Sequence, residues 1–225
     1  MKDVCEKYSI EIGSIRPPNE GGARSLLIRT TRNCPWNRCA FCSFYLRKKF
    51  TVRKVGEVKG DIDTVKIIRN MLADGSVKRE EVSYHSLSMV YGWFQSGERT
   101  VFLQDSNSLI MPSNQLVKII DHLMETFPSL ERVTSYAKSD TLVGKNLDEL
   151  KKINEAGLTR LHVGLESGDD GVLKMMKKGV SAREHVEGGR KAKETGFELS
   201  EYVMPGLGGK KHWKRHALNT AKVLN

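Results

Sequence analysis

The chain has 225 residues, a formal net charge of +10 and 39% hydrophobic residues, enough for one large domain with its own core. No run of 18 apolar residues occurs and the first 13 residues lack an apolar stretch, which argues against a membrane span and a signal peptide. We therefore expect a cytoplasmic protein, in which clustered cysteines are metal ligands or catalytic groups rather than disulfides. The scattered basic residues are typical of a solvated surface, although they leave nucleic acid open as a partner.

Short apolar strands alternate with amphipathic helices along the chain. A linker rich in Pro and Gly is predicted at residues 17–24. The predicted strands are 25–31, 100–106, 132–137, 160–167 and 197–206, and the predicted helices are 61–75, 113–127, 146–157, 183–196 and 212–225. This alternation predicts five βα units and a parallel sheet.

Two details of this pattern add to the prediction. Residues 80–99 lengthen the first crossover and predict an extra amphipathic helix, whose apolar residues favour core packing: Met89, Tyr91, Trp93 and Phe94. Ser113 stands where the N-cap of the second predicted helix is expected.

Three of the four cysteines, Cys34, Cys39 and Cys42, fall within the nine residues CPWNRCAFC, whereas Cys5 lies far upstream. The C-x4-C-x2-C spacing suits an iron–sulfur cluster better than zinc, but the ferredoxins with this local spacing need a fourth cysteine downstream, which is absent. Three thiolates on a four-iron cluster leave one iron open for another molecule. A zinc site completed by a histidine, and three unligated buried cysteines, are the alternatives.

This stretch resembles the cluster loop of the radical S-adenosylmethionine (SAM) superfamily, whose common pattern is C-x3-C-x2-C with an aromatic residue, here Phe41, before the last cysteine. The stretch HVGLESGDDGVLKMMKKG resembles the fourth-strand segment of the branch with coproporphyrinogen dehydrogenases and methylthiotransferases. The stretch YVMPGLGG resembles the fifth-strand glycine motif, with Tyr202 in place of its first glycine. The resemblance implies a partial (β/α)6 TIM-like barrel, here expected to stop after the fifth βα unit, with the site at the carboxyl ends of the strands.

The resemblance also implies the cofactors and their contacts. Cys34, Cys39 and Cys42 would bind a [4Fe–4S] cluster. The residues expected to contact SAM are Phe41, Asp105, Ser106, Asn107, Tyr136, Glu166, Lys178, Met204, Gly206 and Leu207. Among them, Glu166 is expected to bind the ribose hydroxyls, because a carboxylate accepts two hydrogen bonds at once, and Lys178 to bind the methionine carboxylate as a point charge.

The implied activity is reductive cleavage of SAM to a 5′-deoxyadenosyl radical, with reduced ferredoxin or flavodoxin as electron donor. The expected organisation is an N-terminal extension, residues 1–24, and a core domain, residues 25–225. Two alternatives remain: an iron–sulfur or zinc module without SAM chemistry, and a radical SAM enzyme that modifies RNA. The first would need four protein ligands, and the second is permitted by the basic charge.

Overall fold

The structure, a computed structural model, describes residues 7–14 and 24–225. The strands are β1 (Leu26–Arg29), β2 (Thr31–Arg32), β3 (Thr51–Val52), β4 (Thr100–Gln104), β5 (Arg132–Ala137), β6 (Leu158–Glu166) and β7 (Glu198–Val203). The helices are α1 (Val55–Asp74), α2 (Tyr84–Phe94), α3 (Ser113–Thr126), α4 (Ser139–Gly144), α5 (Leu147–Glu155), α6 (Asp170–Met175), α7 (Ala182–Glu194) and α8 (Gly209–Leu224). A short 3-10 helix covers Ser108–Ile110.

The main sheet has the order β1-β4-β5-β6-β7, and every neighbouring pair is parallel. Because spatial order follows chain order, each crossover advances the sheet by one strand, as in a TIM-like barrel. This confirms the predicted partial barrel and its five parallel strands. In the described ranges, β7 is the last strand of the sheet and pairs with β6 alone.

Apolar side chains at helical spacing pack α1 and α3 against one face of the sheet. Helix α1 buries one stripe and ends at Gly75, which adopts φ +74° and thus a left-handed conformation that suits glycine. The stripe of α1 consists of Val58, Ile62, Val65 and Ile68, and that of α3 of Leu116, Ile119, Ile120 and Leu123. Alternate strand residues such as Val101 and Leu103 complete this core, so the intervening residues occupy the other face.

Three local predictions are corrected. The first predicted strand, 25–31, divides, because β2 leaves the main sheet and pairs antiparallel with β3 in a ribbon too short to give a sequence pattern. Helix α4 was not predicted, because its six residues carry too little periodicity. Ser113 is the first residue of α3 and not its cap, which is Pro112, because the Ser113 hydroxyl instead bonds Glu149 and Lys145.

The extra crossover helix is confirmed as α2, which buries Trp93 completely but leaves Tyr91 half exposed. Residues 7–14 pack beside it, where Tyr8 forms a parallel bridge with Val82 and the Ile10 amide donates to the Ser86 hydroxyl over 3.1 Å. The predicted linker, apart from Arg24, and Cys5 lie outside the described residues. The helices of the described part are all too short or too polar to cross a membrane.

Candidate cofactor site

The cysteine loop, residues 33–50, connects β2 to β3 at the carboxyl end of β1. Cys34 and Cys39 are partly buried and Cys42 is exposed, and all three are free thiols. The Asn37 amide donates to Cys34 Sγ over 3.4 Å, and the Cys42 amide donates to the Cys39 carbonyl over 3.2 Å. Asn33 and Asn37 adopt positive φ, which turns the chain sharply on either side of the first cysteine. The loop therefore displays the three thiols in one turn region.

The other two thiols and two lysines lie close enough to Cys39 to change the pKa of its thiol. Burial raises the pKa of the Cys39 thiol, and the neighbouring Cys34 and Cys42 raise it further, whereas Lys178 and Lys138 lower it. Within the described ranges, no three His, Cys, Asp or Glu side chains converge as ligands of one metal ion. In an iron–sulfur cluster the thiolates bind separate irons, so such convergence on one point is not required.

Glu166 and Lys178 form a largely buried ion pair over the end of β6. Lys178 Nζ lies 3.2 Å from Glu166 Oε1, and their side chains are 10% and 13% exposed. The pair occupies the space above Gly164, where an added Cβ would lie 2.6 Å from Glu166 Oε1 and 2.8 Å from Lys178 Nζ. Lys178 Nζ also lies 5.8 Å from the centre of the Phe41 ring. The fold thus brings Glu166 and Lys178 to the cysteine loop, and their predicted contacts with SAM stay predictions.

Asp105 follows β4 and is completely buried. Its Oδ2 accepts from Arg29 Nη2 over 2.6 Å and from the Asn33 amide over 3.0 Å, and its Oδ1 accepts from the Tyr45 hydroxyl over 2.7 Å. Burial and the bond to Asp105 raise the pKa of Tyr45 far above its usual range. Asp105 therefore anchors the first residue of the cysteine loop, Asn33, and the later Tyr45 beside the end of β4. The predicted contact of Asp105 with SAM stays a prediction beside this role.

The side chains of Ser106 and Asn107 make different hydrogen bonds. The Ser106 hydroxyl donates to the Asn33 carbonyl over 3.1 Å. Asn107 Nδ2 donates to the Thr141 hydroxyl over 2.8 Å, and the buried Asn107 Oδ1 has no hydrogen-bond partner in the part of the chain that is described. Because a buried acceptor without a donor is costly, Asn107 Oδ1 is an acceptor that an amino group of a ligand could satisfy.

Tyr136 belongs to a group of rings on the sheet face opposite the helices. The group consists of Phe102, Tyr136, His162 and Tyr202, one from each of β4 to β7. The rings of Tyr136 and Tyr202 are 6.0 Å apart. Tyr202, which replaces a glycine of the family motif, thus contributes a ring to this face instead of an approachable backbone.

The loop after β7 is tied to Glu166 through its backbone. The Met204 amide donates to the Glu166 carbonyl over 3.1 Å, and the Leu207 amide donates to the Met204 carbonyl over 3.1 Å. Gly206 adopts φ +86°, and an added Cβ there would meet nothing within 4 Å, so its glycine supplies conformation rather than close packing. Met204, Gly206 and Leu207 therefore form a turn next to the Glu166–Lys178 pair.

A sequence model of the radical SAM superfamily matches residues 28–220. The chain belongs to this superfamily. It is a superfamily of enzymes, and the heme chaperone HemW of Bacillus subtilis is 26% identical to this radical SAM chain over 130 residues, which cover 56% of the chain and 34% of HemW. The chain thus spans about a third of that curated relative.

Solved structures show the same fold. OxsB, a cobalamin-dependent radical SAM enzyme with aqua-cobalamin and SAM bound, has a TM-score of 0.59 and 18% identity, covering 89% of this chain and 26% of OxsB. The radical SAM enzyme coproporphyrinogen III oxidase (HemN) of Escherichia coli has a TM-score of 0.55 and 15% identity, covering 88% of this chain and 41% of HemN. The predicted resemblance to the coproporphyrinogen branch is therefore confirmed at the level of fold.

Sequence reasoning missed the residues that support this site. Gly164 leaves the space for the Glu166–Lys178 pair, Arg29 and Tyr45 hold Asp105, and Trp36 packs on the segment after α6. A glycine two residues before the predicted ligand Glu166 was a usable signal for close approach. The partners of Asp105 gave none, because they are 60 to 76 residues away in sequence.

The surface beside Cys42 is basic. Between Asn33 and Lys54 the sequence has no acidic residue and six basic ones: Arg38, Arg47, Lys48, Lys49, Arg53 and Lys54. All but Arg53 and Lys54 belong to the cysteine loop and are exposed, and Phe44 and Leu46 between them are each 60% exposed. We call residues 43–49 the basic segment. It borders the exposed Cys42 directly.

Proposed function

We propose that this chain is the cofactor-binding core of a radical SAM enzyme. In this proposal Cys34, Cys39 and Cys42 hold a [4Fe–4S] cluster, and SAM occupies the open iron. The core comprises residues 25–225, with residues 1–24 as an N-terminal extension. The observation that carries the proposal is the Glu166–Lys178 pair, placed 3.2 Å apart and against the Phe41 ring of the cysteine loop.

The residues of the site suit both a [4Fe–4S] cluster and SAM. Burial, and then the nearby Cys34 and Cys42, raise the pKa of the Cys39 thiol, while Lys178 and Lys138 lower it. Such a group of thiols with two ammonium groups suits an anionic thiolate-bound cluster, because the ammonium groups offset its negative charge. Lys178 gives a positive group for a carboxylate, and the unpartnered Asn107 Oδ1 gives an acceptor for an amino group. A methionine moiety carries both groups.

In this proposal the residues of the chain bind SAM and orient it. Glu166 would accept hydrogen bonds from the ribose hydroxyls, and Lys178 would pair with the methionine carboxylate. Met204, Gly206 and Leu207 offer backbone to the adenine, and Phe41 and Tyr136 contribute apolar walls that exclude water. When bound, the cluster would relay one electron from the reduced donor to SAM, and the two groups together would supply the radical chemistry.

The electron donor of this proposal is a reduced ferredoxin or flavodoxin. Such proteins are generally acidic, and the basic segment offers complementary charge with exposed Phe44 and Leu46 at its centre. Its position next to Cys42 makes the path from the protein surface to the thiols short. This supports docking of the donor on the outer side of the cysteine loop.

The test is anaerobic reconstitution with iron and sulfide, addition of SAM and dithionite, and an assay for 5′-deoxyadenosine. Wild type is expected to bind a cluster that absorbs in the visible range and to form 5′-deoxyadenosine. Cys34→Ala, Cys39→Ala and Cys42→Ala should each lose the cluster, whereas Cys5→Ala should keep it. A cluster that assembles without release of 5′-deoxyadenosine would favour the passive iron–sulfur module, and loss of the cluster in Cys5→Ala would make Cys5 a fourth ligand.

A further inference from the structure

The first gap of the cysteine motif holds four residues, Pro35 to Arg38, where the common family pattern has three. The proposed function does not explain this extra residue, since it concerns only the thiols. In the structure the gap includes Asn37 at φ +45°, and the Trp36 ring reaches the segment after α6. The question is what Trp36 contacts there.

Trp36 packs on the segment that follows α6. Its Nε1 donates to the Lys177 carbonyl over 2.7 Å. Its ring lies so close to Gly179 that an added Cβ on Gly179 would be 2.2 Å from Trp36 Cζ2. Gly179 also adopts φ +69°, so both its conformation and its lack of a side chain are used by this contact.

Two further contacts join the same segment to the cysteine loop. The Ala40 amide donates to the Met176 carbonyl over 2.9 Å, and Lys178 Nζ faces the Phe41 ring at 5.8 Å. Four consecutive residues, 176–179, therefore each touch the cysteine loop, and we call this set of contacts the clamp. Trp36 supplies the two contacts that flank Lys178.

A second element fastens the clamp from the sheet. Lys138, directly after β5, places Nζ 4.9 Å from the centre of the Trp36 ring and donates to the Gly179 carbonyl over 3.1 Å. A cation over an indole face is attracted by the electrons of the ring. Trp36 is thus held from the sheet side as well as by the segment after α6, which fixes its ring.

We infer that Trp36 is a positioning residue, which fixes the backbone on both sides of Lys178 and so sets where the Lys178 ammonium stands relative to the three thiols. The extra residue in the cysteine gap is what lets Trp36 reach this segment. The ligand group served by this geometry is the carboxylate of the methionine moiety of SAM. The inference rests on the proposed function for that ligand, whereas the clamp itself is a property of the protein.

The first experiment separates positioning from loop folding in the reconstituted full chain. Trp36→Ala should keep the wild-type iron content per chain and weaken SAM binding about tenfold, the usual effect of losing a residue that orients a ligand. Trp36→Phe, which keeps a ring but loses the N–H donor, should fall between the two. Trp213→Ala is the control, because Trp213 is 63% exposed on α8. Unchanged SAM affinity in Trp36→Ala, or a parallel loss of iron, would overturn the inference.

The second experiment needs neither iron nor SAM. Hydrogen exchange of the full chain is expected to speed up at least tenfold at the Ala40 and Lys178 amides in Trp36→Ala, and to stay unchanged in Trp213→Ala. Equal protection in wild type and Trp36→Ala would disprove the clamp. If wild type failed to bind SAM, the proposed function would fail, while the exchange result would still decide whether the clamp exists.

Discussion

At the scale of single residues, the ion pair of Glu166 and Lys178 is where the proposed SAM site and a passive cluster site lead to different predictions. Both side chains are nearly buried and face the cysteine loop, and Gly164 leaves them room. In the proposed function the pair serves SAM, whereas the three thiols hold the cluster. Its removal should therefore affect SAM and not the cluster.

Glu166→Ala is expected to weaken SAM binding by about tenfold to a hundredfold, because losing the partner of two buried hydroxyls costs about 1–3 kcal/mol. Gly164→Ala should act in the same direction, since its Cβ would lie 2.6 Å from Glu166 Oε1. Titration with SAM at constant cluster content measures both. Glu187→Ala, on the exposed side of α7, is the control, and a SAM affinity equal to that of wild type would leave Glu166 without a ligand role.

Glu201 of β7 makes stability depend on pH. Burial raises the pKa of Glu201 from 4.5 to about 7, and Lys178 offsets only part of this rise. Its Oε2 is buried without a hydrogen-bond partner among the residues that are described. Because the folded pKa is the higher one, the neutral carboxyl favours folding below pH 4.5, and this advantage is lost as pH rises toward 7.

Urea unfolding of wild type and Glu201→Gln at several pH values tests this directly. Between about pH 4.5 and pH 7 the free energy of unfolding of wild type should fall relative to that of the variant, by an amount on the order of 3 kcal/mol. The variant removes the titrating group and keeps the shape. Parallel pH curves for the two proteins would mean that Glu201 titrates normally.

Which site residues could be predicted follows from how local their signals are. The thiols and Glu166 were predicted because they belong to short motifs in family order. Tyr45, Arg29 and Trp36 were not, because their roles depend on partners far away in sequence, such as Asp105 and Lys177. Asp105 was placed correctly at the end of β4. The hydrogen bonds that its carboxylate accepts from Arg29 and Tyr45 are visible only in three dimensions.

At the scale of elements, the order of strands and long helices was predictable and the short elements were not. Helix α3 shows apolar residues at regular helical spacing, so its existence was secure. The ribbon of β2 and β3 has two residues in each strand and is specified by its position next to the sheet. The cysteine loop lies inside this ribbon, so its two ends are held together by a feature that leaves no sequence pattern.

The basic segment gives a prediction for an element. Lys48→Glu with Lys49→Glu should slow cluster reduction by flavodoxin on the order of tenfold at low ionic strength, because steering by opposite charge is lost. The difference should shrink in about 1 M salt, where charges are screened within about 3 Å. Lys210→Glu with Lys211→Glu, an equal charge change on exposed positions of α8, is the control.

Reduction by dithionite should be nearly unaffected in both double variants, because a small reductant needs no docking surface. An equal slowing with the α8 variant would assign the effect to net charge and not to the basic segment. Tighter binding of RNA by wild type than by the Lys48→Glu, Lys49→Glu variant, with unchanged flavodoxin kinetics, would instead identify the segment as a nucleic-acid surface.

At the scale of the molecule, the carboxylate of Glu11 adds an ion-pair network to the contacts that hold residues 7–14 on the folded core. Glu11 accepts from Arg29 over 3.0 Å and from Arg32 over 2.6 Å, and pairs with Arg53 at 3.4 Å. Burial acts to raise the pKa of Glu11, but the three arginines together lower it. Glu11 thus joins the N-terminal segment to β1, to β2 and to Arg53, the residue that follows β3.

Glu11→Ala is expected to reduce the free energy of unfolding by about 1–3 kcal/mol, because it leaves the buried Arg53 with less compensation. Glu57→Ala is the matched control: it also removes a carboxylate near Arg32 and Arg53, but at 3.5 and 3.7 Å and from a more exposed position. Chemical denaturation measures both. If the two variants were equally stable, the Glu11 network would be no more than surface charge.

The cysteine loop is fastened at two separate places on the sheet, to β4 through Asp105 and to the segment after β6 and α6 through the clamp. The loop therefore connects β4 with β6, two strands that β5 separates in the sheet. Any movement of β4 away from β6 must stretch the cysteine loop and change the spacing of the thiols. Conversely, a cluster that bridges the thiols would resist this movement of the strands. Cluster binding and the curvature of the sheet are therefore coupled in one equilibrium.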